Sequence, residues 1–271
     1  MNRNKLTQFI NHSLLGYGVE LSNLLSYPFM EKQLPDKKFV LFSSGRAGST
    51  LLVKLLDSHS QIQCEGEILR RKMLYPAAYI NRCSQISKNP VFGFKLLSYQ
   101  LKNVQTSIKE KEIFLQDLVD NKFQIIYLER KNILRQALSV MYAYHRDQWH
   151  VKKGQNINAT KMTIDPVVLK NWMDGIEELK VYEKKMLELL PHLHIIYEQD
   201  LNTPEQQAAT TEIVTSFLDI PHEEVNTNLK RVTPKNLSSF VENTDEIIDY
   251  LDASRYRQYL ELLTHSFKPS N

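Results

Sequence analysis

Glycine and cysteine are scarce in this chain, and neither sign of charge dominates. Its 271 residues include 8 glycines and 2 cysteines, and its formal net charge is +3. So small a net charge argues against nucleic-acid binding, which needs a strongly basic surface, and fits a local pocket for a small anionic ligand. Cys64 and Cys83 do not make a disulfide framework, so we expect two free thiols in a reducing compartment.

Long hydrophobic runs are also missing. No run approaches the roughly 18 residues that a membrane-spanning helix needs, so we expect no membrane span. The apolar block near the N-terminus is interrupted by polar residues at 11–13, which argues against a signal peptide and predicts a cytoplasmic protein. Residues 1–36 have an amphipathic pattern, which we interpret as a helical extension docked on the protein rather than a membrane anchor.

Short apolar runs alternate with stretches of helical periodicity along the rest of the chain. This alternation predicts an α/β domain over residues 37–271, with a P-loop-like central parallel β-sheet flanked by helices. The predicted strands are residues 39–42, 62–64, 91–94, 125–128 and 194–197.

The first predicted strand is followed by a loop of small residues, Ser43-Ser44-Gly45-Arg46-Ala47-Gly48-Ser49-Thr50, and then by an apolar stretch at 51–56. This order predicts a strand, a tight loop and a helix. A loop of this kind directs backbone N–H groups toward one point, where the helix dipole also favours negative charge. The segment therefore predicts a phosphate-binding loop.

The loop departs from the pattern of nucleotide hydrolases in an informative way. Aligned with G-x-x-x-x-G-K-[ST], it has Ser43 at the first glycine and Ser49 at the lysine that reaches the β- and γ-phosphates. The one cation of the loop is Arg46. We therefore expect a 5′-phosphate that carries something other than a metal-bound triphosphate, and we predict no metal site.

A second segment indicates a family. The predicted strand 125–128 leads into Arg130 and then into a helix that carries Ser139, which resembles the 3′-phosphate-binding element of sulfotransferases. Residues 45–52 resemble the 5′-phosphosulfate loop of the same family, written R-x-G-[ST]-[ST]. The resemblance covers roughly residues 38 to 250. It implies the sulfotransferase fold and a small-molecule acceptor.

The resemblance also implies the donor, 3′-phosphoadenosine 5′-phosphosulfate (PAPS), and the product PAP. The first loop would hold the 5′ end of the donor, and the second element would hold its 3′-phosphate and so separate PAPS from ATP. A basic loop near the C-terminus resembles the segment that closes over the cofactor. The implied binding residues are Arg46, Ala47, Gly48, Ser49, Thr50, Arg130, Ser139, Arg231 and Lys235.

Two assignments stay open. In many family members the arginine and serine of the 3′ element are eight residues apart, which fits Lys131 better than Arg130. We prefer Arg130 because a guanidinium matches a phosphate in a fork. The catalytic glutamate of the family matches Glu67 if one residue is inserted, so Glu65 is its rival as general base.

Other catalytic and functional assignments follow from the same reading. Lys95, at the end of the third predicted strand, would stabilise the transferring group, and Arg46 would neutralise charge near the bridging oxygen. We expect a small polar acceptor, such as a glycan or a natural product. The alternative function is a P-loop kinase or a nucleotide-binding module. The missing loop lysine counts against both.

Overall fold

All five predicted strands join one parallel sheet in the computed structural model, which describes residues 3–146, 151–152, 160–227, 229–230, 233–234 and 236–260. The strands are β1 Lys37–Ser43, β2 Ile62–Glu65, β3 Val91–Leu97, β4 Phe123–Glu129 and β6 His192–Ile196. The order across the sheet is β2-β3-β1-β4-β6, and every pairing is parallel. The predicted parallel sheet is therefore confirmed.

Helices connect and cover the strands, as an α/β fold requires. They are α1 Arg3–Ser26, α2 Ser49–Leu56, α3 Pro76–Gln85, α4 Lys111–Asp120, α5 Ile133–Arg146, α6 Pro166–Leu187, α7 Tyr197–Asp200, α8 Pro204–Phe217 and α9 Thr244–Asp252. A short antiparallel pair joins β5 Val151–Lys152 to β7 Leu229–Lys230. Asp165 caps α6, because its Oδ1 accepts from the N–H of Val167 at 2.8 Å.

The chain divides into two compact units. Unit 1 contains residues 1–129 and 181–227, and unit 2 contains residues 130–180 and 228–271. Compact units need not fold independently, so the single domain expected over 37–271 stays a prediction.

Unit 1 is built around the sheet, which is buried on both faces. Alternate residues of β1 enter different cores: Val40 and Phe42 pack in one cluster, and Phe39 and Leu41 pack in the other. This burial explains why the strands read as continuous apolar runs in the sequence. The first cluster includes residues of α3 and α4, and the second includes residues of α2 and α8.

Unit 2 has a core of its own, formed by one face each of α5, α6 and α9. Tyr256 is fully buried in this core. Its hydroxyl lies 2.5 Å from Asp174 Oδ1 and 3.0 Å from Glu177 Oε2. Hydrogen bonds from Lys170, Tyr256 and Arg255 hold the pKa of the Asp174 carboxyl well below its usual range. This polar network ties the C-terminal segment to α6.

The two cysteines are both free, as predicted. Cys64 is buried in β2, and burial raises the pKa of its thiol well above the usual range. Burial also raises the pKa of Cys83 to about 11. Both thiols are therefore protonated at neutral pH.

Candidate active site at the carboxyl ends of the strands

The loop after β1 has the backbone of an anion-binding nest. Arg46 has φ +63° and Gly48 has φ +103°, so left-handed residues flank Ala47 on both sides. Such alternation turns successive N–H groups toward a common point. A left-handed residue other than glycine costs about 1–2 kcal/mol, and strain of this kind is typical of binding sites. Arg46 thus marks the loop as a candidate site by its conformation as well as by its charge.

The start of α2 has the polar groups that a phosphate needs. Its N-cap residue is Gly48, which supplies no side-chain cap, so the first amides of the helix are not satisfied by a cap. Ser49 is almost fully buried, and the buried Ser43 hydroxyl has no hydrogen-bond partner among the described residues. The nest, the uncapped amides and this orphaned hydroxyl fit the charged 5′ end of a donor nucleotide.

Lys95 connects this loop to the neighbouring strands. Its side chain is 7% exposed, and its Nζ lies 2.8 Å from Glu67 Oε1. The same Nζ donates a hydrogen bond to Thr50 Oγ1 at 3.1 Å. One buried ammonium group therefore contacts both the first turn of α2 and a carboxylate that follows β2. The structure brings these three sequence-predicted residues together.

Glu67 is positioned by a residue that the sequence analysis missed. Gln100 is fully buried, and its Nε2 donates to Glu67 Oε2 at 2.6 Å. The other end of the same amide accepts from the N–H of Leu97 at 3.2 Å, which fixes the orientation of the amide. Gln100 opens a short π-helical turn over Gln100–Val104 just after β3, and such turns are frequent at functional sites.

The other candidate for the general base, Glu65, has a different environment. Glu65 is the last residue of β2, and its Oε1 accepts a hydrogen bond from Gln63 Nε2 at 2.8 Å. Glu67 is the carboxylate that contacts Lys95, and its side chain keeps 28% exposure. These contacts favour Glu67 as the reactive carboxylate.

A second polar network includes residues of β4, β6 and α6 and the residue that follows β3. The Tyr127 ring stacks on His194 with 4.9 Å between centroids, and His194 Nε2 lies 3.2 Å from Glu129 Oε2. The buried Glu183 carboxylate accepts from Ser98 Oγ at 2.6 Å and from the Tyr127 hydroxyl at 3.0 Å. Burial, followed by the Glu183 and Glu129 charges, raises the pKa of Tyr127 far above its usual range, so Tyr127 serves as a neutral donor.

The predicted 3′-phosphate residues belong to unit 2. Arg130 is half-buried, its carbonyl accepts from the Lys180 ammonium, and Lys131 is exposed. Ser139 is 6% exposed on α5. The N-terminal turn of α5 is fixed by Asn132, whose Oδ1 accepts from the N–H of Arg135 at 2.9 Å. The partial burial of Arg130 favours it over Lys131.

The remaining predictions fall in part outside the structure. Arg231 and Lys235 lie outside the described residues. Within the described ranges, no group of three or more histidine, cysteine or acidic side chains is placed to hold a metal ion. No helix in those ranges is both long enough and apolar enough to cross a membrane.

Comparison of this chain with known proteins gives structural matches alone, since neither a family model nor a curated protein sequence matches it. A sulfotransferase from Alicyclobacillus acidocaldarius is 13% identical, with a TM-score of 0.44 over 82% of this chain and 95% of that chain. Mouse sulfotransferase SULT7A1 complexed with PAP is 14% identical, with a TM-score of 0.45 over 90% of this chain and 94% of that chain. The sulfotransferase domain from the curacin biosynthetic pathway is 17% identical, with a TM-score of 0.43 over 70% of this chain and 76% of that chain. At these TM-scores the likenesses assign no role to any residue of this chain.

Proposed function

We propose that this chain is a sulfotransferase that transfers the sulfuryl group of PAPS to a hydroxyl or amine of a small polar acceptor, such as a glycan or a natural product. The observation that carries the proposal is the double contact of Lys95 with Thr50 and Glu67. It joins a lysine-free phosphate loop to a carboxylate suited to deprotonate an acceptor. The loop recognises charge, and the carboxylate supplies the base.

Each residue of this group has a distinct task. When bound, PAPS supplies an activated sulfuryl group for an in-line displacement through a loose transition state. Glu67 takes the proton from the acceptor hydroxyl or amine, and Gln100 holds the carboxylate in place. Lys95, Arg46 and the loop amides stabilise the negative charge that develops on the leaving side.

We assign the selectivity for the donor to the residues that bind its 3′-phosphate. Arg130 offers a planar fork of N–H donors and Ser139 a hydroxyl; their separation of nine residues is one longer than in many members of the family. Arg231 and Lys235 are proposed to cover the adenosine end. A pocket for the 3′-phosphate distinguishes PAPS and PAP from ATP and AMP.

The test is isothermal titration of the full chain with PAP, AMP and ATP, with and without Mg²⁺. We expect tight binding of PAP, weak binding of AMP and ATP, and loss of the preference for PAP in Arg130→Ala. Arg135→Ala is a matched control, because Arg135 lies on the same segment and contacts the carbonyl of Pro234. Equal affinity for PAP and AMP would refute the proposal, and Mg²⁺-dependent preference for ATP would favour a P-loop kinase.

A further inference from the structure

Lys95 is enclosed by the sheet and joined to the segment that carries Glu67. It lies inside β3, where it pairs with Leu41 of β1, and its side chain is 7% exposed. Its backbone N–H donates at 3.2 Å to the carbonyl of Gly66, the residue before Glu67. A buried ammonium group needs partners, because burial without them disfavours the charge. The position of the Lys95 ammonium therefore depends on the groups that compete for it.

The two contacts of this ammonium group belong to different parts of the site. Nζ lies 2.8 Å from Glu67 Oε1 and donates to Thr50 Oγ1 at 3.1 Å. Of these two oxygens, the one in the carboxylate carries the charge that balances the ammonium. Thr50 belongs to the first turn of α2, beside the loop that is proposed to hold the 5′ end of the donor. One positive charge is thus shared between the candidate base and the donor loop.

An anion held by the loop would come close to the same charge. The Thr50 hydroxyl accepts from Lys95 and can still donate its own proton to an anion. Since Thr50 Oγ1 lies 3.1 Å from Nζ and an O–H···O hydrogen bond is about 2.7–2.8 Å long, such an anion lies no more than about 6 Å from Nζ. Inside a protein, where the effective dielectric constant is below that of water, opposite charges at this separation attract each other. The donor and Glu67 therefore compete for the ammonium of Lys95.

Glu67 can lose this cation without becoming isolated. Its other oxygen, Oε2, accepts from Gln100 Nε2 at 2.6 Å, and its side chain is 28% exposed. Gln100 keeps the carboxylate in position, and water can solvate Oε1. The loss of a partner is most costly where a charge stays buried and unpaired, and Glu67 avoids that condition.

We propose that Lys95 changes its partner when the donor binds: its ammonium turns from Glu67 Oε1 to the 5′ end of the donor and leaves Oε1 open to the acceptor. This inference rests on the proposed function. The carboxylate then lowers the affinity for the donor, and the donor in turn releases the base. Deprotonation of the acceptor is thereby tied to the presence of the donor.

The test is isothermal titration of the full chain with PAP and with adenosine 3′-monophosphate, which has no 5′-phosphate. We expect Glu67→Gln to bind PAP about fivefold or more tightly than the unchanged chain does, because a neutral amide competes less for the ammonium. Its affinity for adenosine 3′-monophosphate should stay unchanged. Glu65→Gln is the matched control. It removes the same charge from a side chain that accepts from Gln63 Nε2, and it should bind PAP as the unchanged chain does.

A second variant separates the exchange of partners from simple repulsion between Glu67 and the donor. Lys95→Met removes the ammonium and keeps an unbranched side chain at this buried position. We expect it to weaken PAP binding about tenfold or more, because a hydrogen bond between charged groups is lost. Adding Glu67→Gln to Lys95→Met should then change the affinity for PAP by about twofold or less, as for changes that are not coupled.

Two results would overturn the proposal. One is equal affinity for PAP in Glu67→Gln and in the unchanged chain. The other is an equal gain from Glu67→Gln with and without Lys95, because repulsion alone would then explain it. Failure of the proposed function looks different, since the unchanged chain would then bind PAP no better than AMP. If Lys95→Met does not fold, the comparison of Glu67→Gln with Glu65→Gln on the two nucleotides still decides.

Discussion

Two helices of unit 1 use their surfaces in opposite ways. Helix α2 buries Leu52, Leu55 and Leu56 in the core and leaves its polar first turn beside Lys95. Helix α1 buries Gly16 and Glu20, and its described leucines, at 14, 15, 21, 24 and 25, are exposed. The contrast teaches that the face by which a helix packs is set by its partners: apolar core residues for α2, and backbone N–H groups and a side chain for α1.

The carboxylates Glu20 and Glu67 also differ in the groups that hold them. Both oxygens of Glu20 accept from backbone amides, whereas Glu67 contacts two side chains, Lys95 and Gln100, and keeps partial exposure. A carboxylate held by backbone groups serves structure. Glu67 follows the end of β2, at the edge of the sheet where open α/β proteins bind their ligands.

The largest expected effect therefore concerns Glu67. We expect Glu67→Gln to lower the turnover of PAPS by about 10²–10⁴-fold, because the general base is removed, while PAP still binds. The rate of PAP formation is measured with the best acceptor from a panel of small hydroxyl and amine compounds. Glu65→Gln is the control and should keep most of the activity. If the two variants lose activity equally, the assignment of roles to these carboxylates is wrong.

A pair of leucine variants tests the contrast between the helices directly. Leu52→Ala should lower the free energy of unfolding by about 2–5 kcal/mol, because it leaves a cavity in a packed core. Leu21→Ala should change it by about 0.5 kcal/mol or less, as for exposed positions in general. Chemical denaturation measures both. A large loss in Leu21→Ala would mean that the chain itself covers Leu21.

Much of unit 1 could be predicted because buried positions need apolar residues, which are visible in the sequence. Strands buried on both faces must be apolar throughout, so the predicted centres of β1 and β4 agree with the structure to within a few residues. The loop and the position of Glu67 just after β2 followed from the same logic, because parallel strands bring their carboxyl ends to one edge. The predicted strand end at Lys95 was wrong, because β3 continues to Leu97 and Lys95 lies inside it.

Other features of the structure have no pattern in the sequence from which they could be predicted. Gln100 is one glutamine among many polar residues after β3, and only the contact with Glu67 reveals its role. The docking of α1 was predicted, but not the face that it uses. Helical periodicity shows which residues share a side and not which side meets the protein. Only the hydrogen-bond partners of Glu20 and Asn23 show that α1 packs by its polar face.

The phosphate loop offers a smaller test with a close control. We expect Gly48→Ala to lower the free energy of unfolding by about 2–4 kcal/mol, because a left-handed alanine is strained and overpacking adds to the cost. The new Cβ would lie 2.5 Å from the Tyr197 ring. Gly45→Ala has open space around its Cβ and should change stability by about 1 kcal/mol or less. Similar losses in both variants would contradict the assigned loop conformation.

The smallest effect is local and concerns the attachment of α1. Glu20→Gln replaces one accepting oxygen by an amide donor that faces a backbone N–H, so we expect a loss of about 1–2 kcal/mol. The loss should appear as faster hydrogen exchange in α1 while β1 and β4 stay protected, because a docked helix can open without global unfolding. Glu31→Gln, at an exposed position, is the control. If α1 exchanges equally fast in all three proteins, Glu20 does not fix the helix, and the outward orientation of the leucines loses its structural cause.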